Sequence, residues 1–305
     1  MKLEIKQSLE NIYISPLELC NLHCQYCYTN KTKNILSNQQ ILDFIEKYSD
    51  SIHKSYFLNL KSILFCGGEV FTLPDFPNLV NTLIEKDIFI TIITNGTIDR
   101  LTEIKDPKNC QLLVSFDGPK EIHDQNRGTG NFDKSLKFVQ HAQELDFPVE
   151  IMFLITKDSY PYKDSFPLLL SNALTLQSSN ALTFTYLTDR KLSLTLKQVL
   201  DIKQNYQTYP KKDFGCFQLS LQSTGLITGC CESSLRLGNI NDNPTTYVAN
   251  FINSLSKCFS CPAHKSKIIN HKSVSCGGCC DLDYLCGYKT ELNLKNCQDV
   301  VQSFK

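Results

Sequence analysis

Hydrophobic and polar positions follow two alternating periods along the first two-thirds of the chain. Short apolar runs at 11–15, 62–66, 88–94, 112–116, 149–155 and 182–187 read as strands. Several are rich in Ile, Val, Phe and Thr, as a sheet buried on both faces requires. Between them the spacing becomes helical. Ser37, with Gln40 three residues on, makes a capping box, after which Ile41, Phe44, Ile45 and Tyr48 recur on one face. Residues 75–86 form a second candidate helix. Phe132, Leu136, Val139 and Ala142 mark another, stopped by Asp146-Phe147-Pro148. Six strands with intervening helices predict an α/β fold, a partial (β/α)6 barrel with its functional loops after the strand ends. From about Thr208 cysteine and glycine rise, periodicity fades, and the pattern breaks up around 241–244. The expected division is a core domain over 1–207 and a small cysteine-rich, metal-ordered domain over 208–305.

Charge narrows the partners. Lys+Arg and Asp+Glu both number 31, so the chain offers no overall electrostatic case for nucleic acid or an anionic membrane. The start, Met1 to Ser8, alternates charged and apolar residues and has no signal-peptide stretch. No apolar run approaches bilayer length. A cytoplasmic location is expected, and with it reduced thiols. That makes fifteen cysteines the anomaly. The chain is too long to need disulfide stapling, so metal ligation becomes the leading explanation for most of them. Cys66 and Cys110, beside or within apolar stretches, read instead as inert buried thiols.

The cysteines begin with Cys20, Cys24 and Cys27, a C-x3-C-x2-C pattern directly after the first strand. A 4Fe–4S cluster usually takes four thiolates, so three leave one iron open to a small molecule. Open coordination separates a reactive metal site from a structural one. Taken alone, the spacing also admits a zinc site completed by His23 or a remote ligand.

The surroundings widen the pattern. Tyr26 is an aromatic just before the last cysteine, and Gly67-Gly68-Glu69 follows the second strand. Thr94-Asn95-Gly96 follows the third, and Ser115-Phe116-Asp117-Gly118-Pro119 the fourth, running on through His123-Asp124 to Arg127. Each tripeptide alone is ordinary turn chemistry. Together, from about Ile12 to Thr156, they resemble the radical S-adenosylmethionine (SAM) superfamily. That resemblance implies the radical SAM type of partial barrel and a 4Fe–4S cluster on Cys20, Cys24 and Cys27 with an open iron that chelates SAM. It implies a SAM pocket drawn from Tyr26, Gly67, Gly68, Glu69, Thr94, Asn95, Ser115 and Arg127. Glycines permit close backbone approach, and a carboxylate faces the ammonium of the methionine moiety. The implied chemistry is reductive cleavage of SAM to a 5′-deoxyadenosyl radical. An external electron donor, flavodoxin- or ferredoxin-like, is expected.

The later cysteines resemble the SPASM extension of radical SAM peptide and protein maturases. Cys216-x8-Gly225-x4-Cys230 is similar to its first part, Cys258-x2-Cys261 and Cys276-x3-Cys280 to the next two pairs, and Tyr284 to Lys289 to the closing motif around Cys286. The resemblance implies two auxiliary 4Fe–4S clusters, one on Cys216, Cys230 and Cys280, the other on Cys258, Cys261, Cys276 and Cys286. Structural zinc is the rival for these thiols. One departure is the stretch 262–275 between Cys261 and Cys276, longer than the family's usual spacing, which carries His264, Lys265, Lys267, His271 and Lys272 without one acid. It reads as a solvated loop or a contact for an acidic partner.

The implied substrate is a peptide or protein, matured by oxidation, crosslinking or epimerisation. Sulfatase-maturing relatives carry an aspartate where this chain has Cys231, which weighs against that reaction. Cys231 could instead donate a hydrogen atom to a substrate radical, as could Cys279 or Cys297; each could equally be inert or a replacement ligand. No leader-recognition domain is expected before Ile12, so recognition of a ribosomal peptide would fall to the barrel, the C-terminal region or a separate partner. The alternatives are a small-molecule precursor such as a tetrapyrrole or quinone precursor, or a non-catalytic iron–sulfur or zinc protein.

Overall fold

The apolar runs become strands, as β-branched and aromatic side chains on a twice-covered sheet should. The computed structural model describes residues 3–27, 29–173, 181–184, 191–205, 218–229 and 236–260. The first half runs α1 (Leu3–Glu10), β1 (Asn11–Ile14), α2 (Asn38–Tyr56), β2 (Ser62–Phe65), α3 (Phe76–Ile84), β3 (Phe89–Thr94) and β4 (Cys110–Phe116). Then follow α4 (Lys120–Arg127), α5 (Asn131–Glu144), β5 (Val149–Ile155), α6 (Ser165–Ala173), β6 (Ala181–Phe184) and α7 (Leu196–Asn205). The last are β7 (Leu219–Leu221), β8 (Leu226–Thr228), β9 (Arg236–Asn239) and α8 (Pro244–Ser260). The chain forms two compact units, one from Met1–Pro16, Asn34–Ser62 and Pro210–Lys305, the other from Leu17–Lys33 and Ile63–Tyr209.

The second unit carries a sheet in the order β2-β3-β4-β5-β6, with β3–β4, β4–β5 and β5–β6 parallel. Every residue of β2 is buried, and so is every residue of β4 except half-buried Gln111. Two aromatic groups fill the space between sheet and helices. Phe65 meets Phe76 edge-on at 5.2 Å and Phe71 packs near Phe138; Phe116 meets Phe132 at 5.5 Å and Phe153 meets Phe166 at 4.9 Å. Cys66 and Cys110 are buried, as expected of inert thiols, and burial pushes the Cys110 thiol well above its ordinary pKa. Parallel pairing sends the chain out of β3, β4 and β5 at one edge, the place where such sheets assemble sites.

In the first unit, α2 starts at the expected capping box. Ser37 Oγ accepts from Gln40 N at 3.2 Å, and Gln40 Oε1 accepts from Ser37 N at 2.9 Å. Its inner face, Ile41, Phe44, Ile45 and Tyr48, is buried. Phe44 stacks on Tyr48 at 5.9 Å and on Tyr247 at 6.3 Å, and the Tyr48 hydroxyl donates to Leu9 O at 2.8 Å. β1 pairs parallel with β7, which continues into the antiparallel strands β8 and β9.

The structure adds regular elements where the sequence pattern fades. β7, β8 and β9 span only three or four residues each, too few to display an alternation. The break at 241–244 is a helix start: Asn243 Oδ1 accepts from Thr245 N at 3.0 Å and Pro244 takes the first position of α8. Among the described residues no helix is long and apolar enough to cross a membrane. Cys216, Cys230, Cys231, Cys261, Cys276, Cys279, Cys280, Cys286, Cys297, the stretch 262–275 and the end of the predicted strand 182–187 lie outside the described residues. Cys258 is described only as a backbone position in α8.

Candidate active site at the strand ends

The site belongs wholly to the second unit and is built from the loop 17–33 and the exits of β2, β3 and β4. Cys20, Cys24 and Cys27 are free thiols, each half-buried on that loop. Cys27 N donates to Cys24 O at 3.2 Å, closing a turn between the last two. Among the described residues no three His, Cys, Asp or Glu side chains are gathered as a single metal ion would require. His23 is exposed.

Backbone seats the loop against β2's exit. Gly68 N donates to Leu17 O and Glu69 N to Leu19 O, both at 2.9 Å. A Cβ on Gly68 would lie 1.7 Å from the Leu19 carbonyl oxygen, so only glycine fits there. Gly67 has φ 125°, a conformation that side chains rarely adopt.

Those two glycines deliver Glu69 inward, 1% exposed. One carboxylate oxygen accepts from Thr94 Oγ1 at 2.9 Å and Phe71 N at 3.2 Å, and the other accepts from Asn95 N at 2.8 Å. The residues expected to share a ligand from separate β–α steps are thus in direct contact. All three donors favour the ionised acid, yet burial outweighs them and pushes its pKa up to about 7. Among the described residues no lysine or arginine forms an ion pair with it.

The Asn95 side chain turns the other way. Its Nδ2 donates to Asn21 Oδ1 at 3.0 Å and approaches Cys20 Sγ at 3.7 Å, while its Oδ1 accepts from Thr97 N and Thr97 Oγ1. Leu22 N also points at Cys20 Sγ, at 3.4 Å. Lys31 Nζ donates to Leu22 O at 2.7 Å, bracing the turn. N–H groups aimed at sulfur suit a thiolate that carries negative charge.

β4 supplies a second buried acid. Ser115 is buried near the strand end, and Asp117 beyond it is 0% exposed. Tyr26 donates its hydroxyl to both Asp117 oxygens, at 2.7 and 2.6 Å, and Arg127 Nε donates to Oδ1 at 2.8 Å. The guanidinium carbon lies 5.7 Å from the Tyr26 ring centre. Asp117 N donates to His123 Nδ1 at 3.4 Å. Burial pushes the Tyr26 phenol well up and the His123 imidazole down to about 4. Asp117, Asn21, Thr97 and Lys31 were not singled out by sequence reasoning: Asp117 reads as part of a turn, and the other three carry no local signal.

Three half-buried thiols on one loop, with N–H donors at one sulfur, are a donor set that fits an iron–sulfur cluster. A desolvated carboxylate with no ion-pair partner among the described residues fits an ammonium ligand.

Comparison with known proteins agrees with this geometry. Residues 14–160 match the model of the radical SAM superfamily. A radical SAM cyclopropyl synthase, TigE, of Paramaledivibacter caminithermalis is 23% identical over 93% of this chain and 71% of its own length. The Fe-coproporphyrin III synthase of Methanosarcina barkeri is 32% identical over 46% of this chain. The match spans only 35% of that protein's length. Among solved structures, anSMEcpe with bound AdoMet and a Cp18Cys peptide superposes with a TM-score of 0.64 at 17% identity, covering 97% of this chain and 99% of that one. At that identity the likeness shows the fold, the α/β radical SAM fold. The part of the chain that carries the cysteine loop and the β2, β3 and β4 exits is the part that matches the radical SAM superfamily model.

Proposed function

We propose that the protein is a radical SAM enzyme in which Cys20, Cys24 and Cys27 hold a 4Fe–4S cluster with one iron open, and that it takes a hydrogen atom from a peptide or protein substrate. Reductive cleavage of SAM supplies, when both groups are bound, a 5′-deoxyadenosyl radical for that step. The residues contribute placement and charge. Glu69 receives the ammonium of the methionine moiety, and Thr94 and Asn95 N hold its carboxylate in position. Gly67 and Gly68 let the β2 loop approach the cysteine loop closely. Ser115, Tyr26 and Arg127 line the β4 side; Arg127 binds Asp117 through Nε, which leaves its terminal nitrogens for a carboxylate. The burial of Glu69, Thr94, Asn95, Ser115 and Arg127 limits water around a reactive intermediate.

The observation that carries the reading is Glu69, a buried carboxylate with no ion-pair partner among the described residues, bonded to the β3 exit and, through its backbone N, to the cysteine loop. The functional division we propose is a core over 1–207 and a SPASM-like region over 208–305. In the latter, Cys216, Cys230 and Cys280 serve one auxiliary cluster and Cys258, Cys261, Cys276 and Cys286 another. Cys231 is the proposed hydrogen-atom donor. The peptide in the anSMEcpe complex supports the substrate class. A tetrapyrrole substrate is the second reading, favoured by the 32% identity to a coproporphyrin synthase.

The test is anaerobic reconstitution with iron and sulfide, then SAM and dithionite. Release of 5′-deoxyadenosine is expected, with loss of release and of the SAM-responsive cluster signal in Cys24→Ala. A fully loaded N-terminal cluster without turnover rejects the enzyme reading. Turnover stimulated by coproporphyrin and not by peptides would select the second reading.

A further inference from the structure

The Asp117–Arg127 ion pair lies on α4 and the turn before it, yet it is shared with the cysteine loop. Tyr26, between Cys24 and Cys27, donates to both Asp117 oxygens, and its ring lies against the Arg127 guanidinium. The preceding loop residue is tied to the same helix twice. Gln25 N donates to Asn126 O at 3.1 Å and Gln25 Nε2 to Gln125 O at 2.9 Å. Asp117 and Arg127 are 0% and 8% exposed, so water screens neither charge from the loop. An ion pair serving only the α4 turn would not need the phenol of a residue 91 positions away.

We propose that Asp117 is a positioning residue for the metal centre: through Tyr26 it fixes the Cys24–Cys27 turn, and through Arg127 it keeps a neutralised cation beside that turn. The potential of the cluster there is then set by the pair and not by either residue alone. This rests on the reading that Cys20, Cys24 and Cys27 carry the cluster. Reduction adds negative charge to a cluster, so net charge nearby tunes its potential. A bare guanidinium favours the reduced state and a bare carboxylate the oxidised one; paired, their fields largely cancel. Cys24 feels both charges, in opposite directions.

The experiment is a redox titration of reconstituted full-length protein without SAM, following the paramagnetic signal that Cys24→Ala removes. Asp117→Asn leaves Arg127 uncompensated and should raise the midpoint potential. Arg127→Gln leaves the carboxylate uncompensated and should lower it. The double variant should return toward wild type, because the two opposite shifts sum to nearly nothing, a pattern that mere loosening of the fold does not produce. Shifts of the same sign, no shift, or a double variant displaced as far as either single one overturn the proposal. Tyr26→Phe keeps both charges and the ring, and tests positioning by itself. With native iron content it should weaken SAM binding about threefold to tenfold, the worth of one hydrogen bond. Unchanged affinity in that variant overturns the positioning role even if the charge variants load no cluster. If wild-type protein lacks the Cys24-dependent signal, the functional reading fails and the inference falls with it. If wild type shows the signal and the variants do not behave as a pair, the inference alone fails.

Discussion

Two buried carboxylates stand on the two sides of the cysteine loop, and they are solvated differently. Asp117 has a cation, a phenol and no exposure. Glu69 has three neutral donors and no ion-pair partner among the described residues. Burying a charge is costly unless it is paired, and an acid without a counter-ion relieves the cost by taking up a proton. Glu69 does so, with its pKa pushed up to about 7. A completed pair is part of the frame, whereas an incomplete one is a place prepared for a ligand's charge. The contrast assigns the Asp117 carboxylate to the frame and the Glu69 carboxylate to a ligand, and it can be broken from either end.

The largest effect is expected at Asp117. Asp117→Ala should destabilise the protein by about 3–5 kcal/mol, because it leaves a buried guanidinium unpaired. Replacing both partners by apolar residues, as in Asp117→Leu with Arg127→Met, should recover most of that loss. Denaturant unfolding of the anaerobic protein checks both. A small loss for the single variant would mean that the pair is not buried as described.

Next comes Glu69. Glu69→Gln should cost little stability by comparison but weaken SAM binding by roughly tenfold to a hundredfold, the range for a charge-assisted bond. It also turns an amide N–H toward the Asn95 N–H or the Thr94 hydroxyl, where the wild type presents only acceptors. The raised pKa gives the wild type a sign as well. SAM's ammonium selects the ionised acid, so affinity should be full above about pH 7 and fall up to tenfold per unit as pH drops below it. Equilibrium binding across pH 6 to 8 checks this, and Glu69→Gln should flatten the profile. An unchanged slope in the variant would place the titration elsewhere.

What sequence alone could reveal follows the same line between local and remote. β5 spans the expected 149–155, and the Ser37–Gln40 capping box is present as read, because each is a pattern inside one element. Glu69, Thr94 and Asn95 were legible as a set because all three sit just at or after strand ends, which parallel pairing brings to one edge. Asp117 was legible only as a turn residue. Its partners are Tyr26, 91 residues away, and Arg127, on the next helix, and no periodicity encodes that meeting. The same holds for Asn95, whose backbone serves Glu69 while its side chain serves the loop through Asn21 and Thr97.

The smallest effect lies behind Asp117, at His123. Its Nδ1 accepts from Asp117 N, and its Nε2 is buried without a hydrogen-bond partner among the described residues. The ring packs against Phe116 at 5.3 Å and Phe132 at 5.6 Å, and burial lowers its pKa from 6.5 to about 4. The unfolded chain therefore binds a proton near pH 6.5 that the folded protein refuses until about pH 4. Stability from this residue is fully present above pH 6.5, declines as pH falls through that window, and is level again below about 4. Between pH 7 and 5.5 the loss amounts to about 1 kcal/mol. His123→Phe keeps the aromatic contacts, gives up one long hydrogen bond and removes the proton site. Its stability relative to wild type should rise by that amount over the same interval, measured by denaturant unfolding at both pH values. A constant difference between variant and wild type would mean that the imidazole is not held neutral, and that the wall behind Asp117 is wetter than its burial indicates.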